Sequence, residues 1–403
     1  MKTDFAGRDS DAGFPRYMGR DLCVMECPQP EMKELFMTFL PVAGTVPETI
    51  EQIYDRITEL VANLGAEVVN ERCYALTDSF AEIAATRSRA YAARGLEEQG
   101  TLSFIGAVPV AGGSVAGIQV WAIQSAEKPG VRTMYLGSKA VGRKFTYQGV
   151  SYGSVASLGP VVNGTPLASR QAEAASMFRQ AAQVLSGYGF NYRDVARTWI
   201  YLPRLLSWYD EFNAARREVF REVGLIGGNQ SLWLPASTGI QGRSPLGHEC
   251  MMDLLAVAGR EDGCVRMQML ESPLQCEAYD YGSFFSRAVE LRDSTTSRVY
   301  VSGTASIDRE GLTVHRDDPL EQIRFTLHVV RELLAAREHK FSNVSQCVAF
   351  LKKAEYAPAF EQATEEAGFD PRVVVPTVAD VCRDDLLFEI EVMTIKPLDR
   401  LTG

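Results

Sequence analysis

The chain writes one pattern of apolar and polar positions three times. Strand-like apolar runs ending in small-residue turns occur at "ELFMTFLPVAG" near residue 35, "RTMYLGSKAV" near 132 and "SRVYVSGTASI" near 297. Each is followed by a segment whose apolar residues recur every three to four positions, as in an amphipathic helix: "ETIEQIYDRITELVANLG", "SRQAEAASMFRQAAQVLSGYG" and "LEQIRFTLHVVRELLAARE". A short strand ("ERCYAL", "RTWIYL", "QCVAFL"), a second helix ("SFAEIAATRSRAYAARG", "SWYDEFNAARREVFREVG", "YAPAFEQATEEAG") and a closing strand ("AGIQVWAI", "MMDLLAVA", "FEIEVMTI") complete each unit. Aligning Gln119, Asp253 and Glu391 spaces the closing strands by 134 and 138 residues (253 − 119 and 391 − 253), a period of whole domains.

A sheet with one apolar face needs a layer over it, and two helices per unit supply one. The expected class is therefore α/β, with three two-layer sandwiches whose free sheet faces pack about a pseudo-threefold axis. That arrangement lets a monomer contain the interfaces of a trimer. The units are read as 1–130, 131–258 and 291–403. The segment 259–290, with Pro273 and a Tyr/Gly cluster, is read as a structured connection.

At 403 residues and 46% hydrophobic composition, the chain has enough apolar surface for two or three cores. Its net charge of -10 opposes a broad nucleic-acid footprint, while leaving room for a small anion held by local arginines. The opening "MKTDFAGRDSDAG" carries acids and no apolar core, and no run is long enough to span a bilayer, so a cytoplasmic protein is expected. Eight scattered cysteines fit reduced thiols; Cys23 and Cys27 lack the second Cys/His pair a structural metal site requires. No nucleotide-binding glycine motif or hydrolase triad is readable, and neither a metal nor a cofactor is expected.

The last strand carries the most informative chemistry. Alternation puts Glu389 and Glu391 on one face and Phe388, Ile390 and Val392 on the other. Glu391 aligns with Gln119 and Asp253, but at the position of Glu389 the other units have Gly117 and Met251, so one specialised site is expected rather than three. A buried glutamate with a raised pKa is a general acid; an exposed one is not. Arg197 and Arg216 are candidates for binding a carboxylate through two directed hydrogen bonds, with structural pairing the alternative for Arg197. Tyr209 and Tyr281 either bond a ligand or cap an interface. Arg143 sits near a turn where either an anion or solvent fits. Backbone amides near Thr238 and Gly239 suit a carboxylate, and a tight turn also explains Gly239.

The "LLFEIEVMTI" and "RVYVSGTASI" strands resemble those of the RidA/YjgF family of enamine and imine deaminases, with their chorismate-mutase-like fold and sites between trimer subunits. At "PASTGI" this chain has Ser237 where that family's arginine would fall. The combination "RTWIYL", "WYDEFNAARREVF", "LPASTGIQG", "SPLQCEAYDYGSFFSRA" and "CRDDLLFEIE", spanning about 132–397, resembles the chorismatases, which cleave chorismate and release pyruvate. The resemblance implies that Glu389 is the catalytic glutamate. It also implies that Cys382 matches the cysteine of the branch forming 3-hydroxybenzoate, where alanine marks the dihydrodiol branch; a further branch makes mixed 3- and 4-hydroxybenzoate. A deaminase and a non-catalytic metabolite-binding protein are the other readings.

Overall fold

A computed structural model describes residues 13–19, 21–41, 50–96, 100–125, 130–160, 167–227, 231–259 and 264–398. Residues 1–12, which carry most of the opening read for a signal, lie outside these.

Three mixed sheets, each backed by two helices, repeat one topology. The first unit contains β1 (Arg16–Met18), β2 (Leu22–Pro28), β3 (Met32–Phe39), α1 (Ile50–Leu64), β4 (Glu67–Ala75), α2 (Phe80–Ala93), β5 (Leu102–Gly106), the short β6 (Val108–Pro109) and β7 (Val115–Ser125). The second contains β8 (Val131–Leu136), β9 (Lys139–Tyr147), β10 (Val150–Leu158), α3 (Arg170–Gly187), β11 (Val195–Leu202), α4 (Tyr209–Glu222), β12 (Ala236–Gln241) and β13 (Met251–Ala258). The third contains β14 (Arg266–Leu270), β15 (Ala288–Arg292), β16 (Thr296–Ala305), α5 (Pro319–Ala335), β17 (Val344–Leu351), α6 (Ala357–Ala367), β18 (Val374–Val378) and β19 (Phe388–Pro397). The sheet orders are β1-β2-β3-β7-β4-β5, β12-β11-β13-β10-β9-β8 and β14-β15-β16-β19-β17-β18-β6. In every unit the closing strand thus inserts antiparallel between the third strand and the crossover strand.

Two details differ from the sequence reading. In the second unit the strand equivalent to β3 and β16 is β10, "VSYGSVASL"; "RTMYLGSKAV" forms the β8–β9 edge hairpin. The stretch 259–290 supplies β14 and the start of β15 to the third sheet. Each run includes an edge strand, β8 or β14, whose half-exposed pattern is weaker than that of a central strand.

Local chemistry explains the helix limits. Ser169 caps α3 by accepting from the Ala172 amide at 3.1 Å, Asp318 caps α5 by accepting from Glu321 with Pro319 in the first turn, and Gly368 ends α6 at φ 63°. On β19, Phe388, Ile390 and Val392 turn outward into the core formed with α5 and α6. Glu389 and Glu391 turn inward, where the sheets meet.

These junctions are polar. Glu34 of the first unit pairs with Arg298 of the third and accepts from Trp121 Nε1 at 3.0 Å. Arg197 of the second pairs with Glu391 of the third at 2.8 Å; Gln119 Nε2 donates to the Cys347 carbonyl at 2.9 Å. Truncating one partner of such a buried ion pair costs roughly 3–5 kcal/mol, because the other charge is left stranded. The pairs therefore fix how the sheets meet. No helix among the described residues is long and apolar enough to cross a membrane.

Candidate active site

Where the second unit meets the third, a cleft of about 310 Å³ opens between α4, β12, β16, the 281–287 segment and the chain leading into β19. Tyr209, Asn213, Ser237 and Gly239 form one wall; Tyr281, Arg287, Gly303, Cys382, Arg383 and Glu389 form the other.

Glu389 is 4% exposed. Burial raises its carboxyl to about 8, with the Glu391 charge adding to the rise and Arg197 and Arg287 opposing it. At neutral pH it therefore carries a proton. Its room comes from Gly303 on the facing strand: a Cβ there would overlap the Glu389 carboxyl. A register shift between Val301 and Thr304 in the β16–β19 ladder sets Gly303 at this point.

Arg216 lies beneath the wall, 1% exposed, and no nitrogen of its guanidinium has a hydrogen-bond partner among the described residues. Its carbon stands 4.9 Å from the Phe212 ring centroid. A Cβ at Gly239 would lie 3.5–3.9 Å from Tyr209 and from Arg216 Nη2, so the glycine leaves open the approach to both. A buried cation without an acceptor is costly, and an anion entering beside Gly239 would relieve that cost. Burial holds the Tyr209 phenol well above its ordinary value, so its hydroxyl stays protonated as a donor.

Cys382 is half-buried, and burial pushes its thiol up to about 12, with the Glu389 charge in the same direction. It is a neutral thiol at physiological pH, suited to passing a proton rather than to attack as thiolate. Tyr281 is 38% exposed at the rim, with the guanidinium carbons of Arg287 and Arg383 at 5.5 and 5.3 Å from its ring centroid.

Two expected ligand arginines lie elsewhere. Arg197 gives one nitrogen to both Glu391 and Thr238 Oγ1, which orients the pair, and borders a void of about 10 Å³, room for about one water. Arg143 faces the junction of the first and second units, donating to Thr133 Oγ1 at 3.1 Å beside Gly100. Neither lines the cleft. Thr238 lies buried behind it, and its backbone is held in the β11–β12 ladder.

The sequence reading passed over Arg287, which is 2% exposed and anchored by two bonds to the Cys276 carbonyl at 2.8 and 2.6 Å, and Arg383, which donates to the Gly311 carbonyl at 2.7 Å. It also passed over Asn213, with an unpartnered Oδ1, and Gly303. Asn213 was legible on the same helix face as Tyr209, four residues on. Among the described residues no three His, Cys, Asp or Glu side chains cluster to hold a metal ion.

Residues 281–396 match the family model described as Endoribonuclease L-PSP. A solved chorismatase structure has the same fold, with a TM-score of 0.57 and 18% identity, over 81% of this chain and 93% of that one. The fold class is therefore that of RidA/YjgF-like repeated α/β domains. A curated 3-hydroxybenzoate synthase from Streptomyces hygroscopicus is 28% identical over 229 residues, covering 50% of this chain and 64% of that protein, so the match spans less than two thirds of the relative's length. The chain is thus similar in sequence to a 3-hydroxybenzoate synthase and in fold to a chorismatase.

Proposed function

We propose that the chain cleaves chorismate to pyruvate and 3-hydroxybenzoate in the Glu389 cleft. The observation that carries this reading is a buried carboxyl, protonated at neutral pH, in a cleft backed by the unpartnered guanidinium of Arg216. An anionic substrate with an acid-labile enol ether matches both groups.

In this reading Arg216 holds one carboxylate of chorismate, and Arg287 or Arg383 meets the other. Glu389 delivers its proton to the enolpyruvyl methylene, making the ether carbon oxocarbenium-like. The neighbouring ring hydroxyl forms a bond to the ether-bearing ring carbon as the C–O bond breaks. The ether oxygen leaves as the carbonyl of pyruvate, and the hydroxyl proton returns to Glu389. The resulting epoxide opens and the ring loses a proton and regains one on oxygen, giving the aromatic acid; atoms balance with no water consumed. Cys382, as a neutral thiol beside the ring, serves that last proton movement. The match of Cys382 to the aromatic-product branch and the similarity to a 3-hydroxybenzoate synthase favour this product over the dihydrodiol.

Purified protein incubated with chorismate, with pyruvate and every ring product quantified, tests the reading. Equal amounts of pyruvate and 3-hydroxybenzoate are expected. Folded protein that leaves chorismate intact would remove it.

A further inference from the structure

The chain has a second cleft, of about 440 Å³, at the junction of the first and second units. It is built from the elements equivalent to those around Glu389. Phe80 and Arg87 stand on α2 where Tyr209 and Arg216 stand on α4, first residue and seven on. Matching the ladder registers puts Leu102 and Phe104 at Ser237 and Gly239, Ser157 at Gly303 and Met251 at Glu389.

The replacements change its chemistry consistently. Met251 supplies no proton. Arg87 is neutralised by Glu71 at 2.9 Å, and Glu71 also accepts from Tyr54 and Tyr91. Phe104 fills the gap left by Gly239 and packs edge-on against Phe80, with centroids 5.1 Å apart. What remains is a mainly apolar chamber whose lining also holds Lys139, the half-buried His248 and the hydroxyls of Thr101, Thr133, Ser157 and Ser244, with Leu246 and Tyr135 exposed by 62% and 52% at its border.

The fold does not force this opening. At the third junction Gly117 holds the Glu389 position, and a Cβ there would meet Val375 and the Phe39 carbonyl at 2.9–3.0 Å, so that junction is packed shut.

We infer that the second cleft is a non-catalytic binding site for a small aromatic monocarboxylate, its ring between Phe80, Phe104, Leu246 and Met251 and its carboxylate toward Lys139 and His248. The mainly apolar lining, with Lys139 the charged group left after Arg87 pairs with Glu71, suits a monoanion rather than a substrate needing two carboxylate anchors. The inference stands apart from turnover, because it requires no chemistry at Glu389.

Calorimetric titration with benzoate tests it in the Arg216→Met protein, where the catalytic cleft has lost one of its anion anchors, and the second-cleft variants show which cleft the ligand occupies. Saturable one-to-one binding is expected. Ala84→Trp, which fills the second cleft from α2, should abolish it. Lys139→Glu, an exposed change compatible with folding, should weaken it by about two- to fivefold. No saturable binding in Arg216→Met, or binding unchanged by Lys139→Glu, would overturn the inference.

Discussion

Replacing Glu389 with Gln keeps the side chain's size and its uncharged state but removes its titration. In the folded chain the carboxyl is raised from its usual 4.5 to about 8, whereas in the unfolded chain it ionises normally. The folded state therefore holds the proton more tightly, and the stability this confers is complete below pH 4.5 and is lost as pH rises through about 8. At 1.36 kcal/mol per pH unit, wild type forfeits about 3 kcal/mol by pH 7 and on the order of 5 kcal/mol by pH 9. The Gln variant forfeits none of this. Urea unfolding of both proteins at pH 5, 7 and 9 should show the variant gaining on wild type by about that margin across the range. Parallel pH dependences would refute the claim that Glu389 is buried as an acid. The same group links stability to function, since a carboxyl costly to ionise is one that still carries its proton at neutral pH.

Other outcomes follow from the same geometry. Turnover should decline about tenfold per pH unit above pH 8, where Glu389 loses its proton, and a pH–rate profile measures this. Arg216→Met should raise the melting temperature, because it removes an unpartnered buried charge, yet raise KM by roughly 10²–10³, the 2–5 kcal/mol of a buried carboxylate anchor. Gly303→Ala forces the Glu389 carboxyl aside, so kcat should fall by about 10² while the protein stays folded by circular dichroism. Cys382→Ala should leave pyruvate release intact and move the ring product toward the dihydrodiol, read by chromatography.

The architecture was legible because each unit must cover a sheet with two helices, and that demand writes helical and strand periods into the chain three times. The edges were not. The "RTMYLGSKAV" run looks as apolar as a central strand but, as an edge hairpin, buries only Met134 and Val141, while the true central strand β10 is diluted by Ser and Gly. At the site, Glu389 and Glu391 read alike from alternation; the repeat alignment singles out Glu389, and packing gives the reason: Glu391 is tied to Arg197, and Glu389 faces open space beside Gly303. Arg197 reads from sequence as divided between binding a carboxylate and structural pairing, and Arg216 as leaning toward binding. Arg197 meets a carboxylate of the chain itself, whereas no acceptor among the described residues meets Arg216. The difference between the two clefts turned on Gly239 against Phe104, which is visible only once the ladders fix their register.

The most direct measurement is pyruvate release from chorismate at pH 7 by wild type and Glu389→Gln side by side, both verified folded. The account predicts turnover by wild type and a loss of about 10²–10⁴ in the variant, the range general-acid catalysis supplies. Equal rates in the two proteins would contradict it.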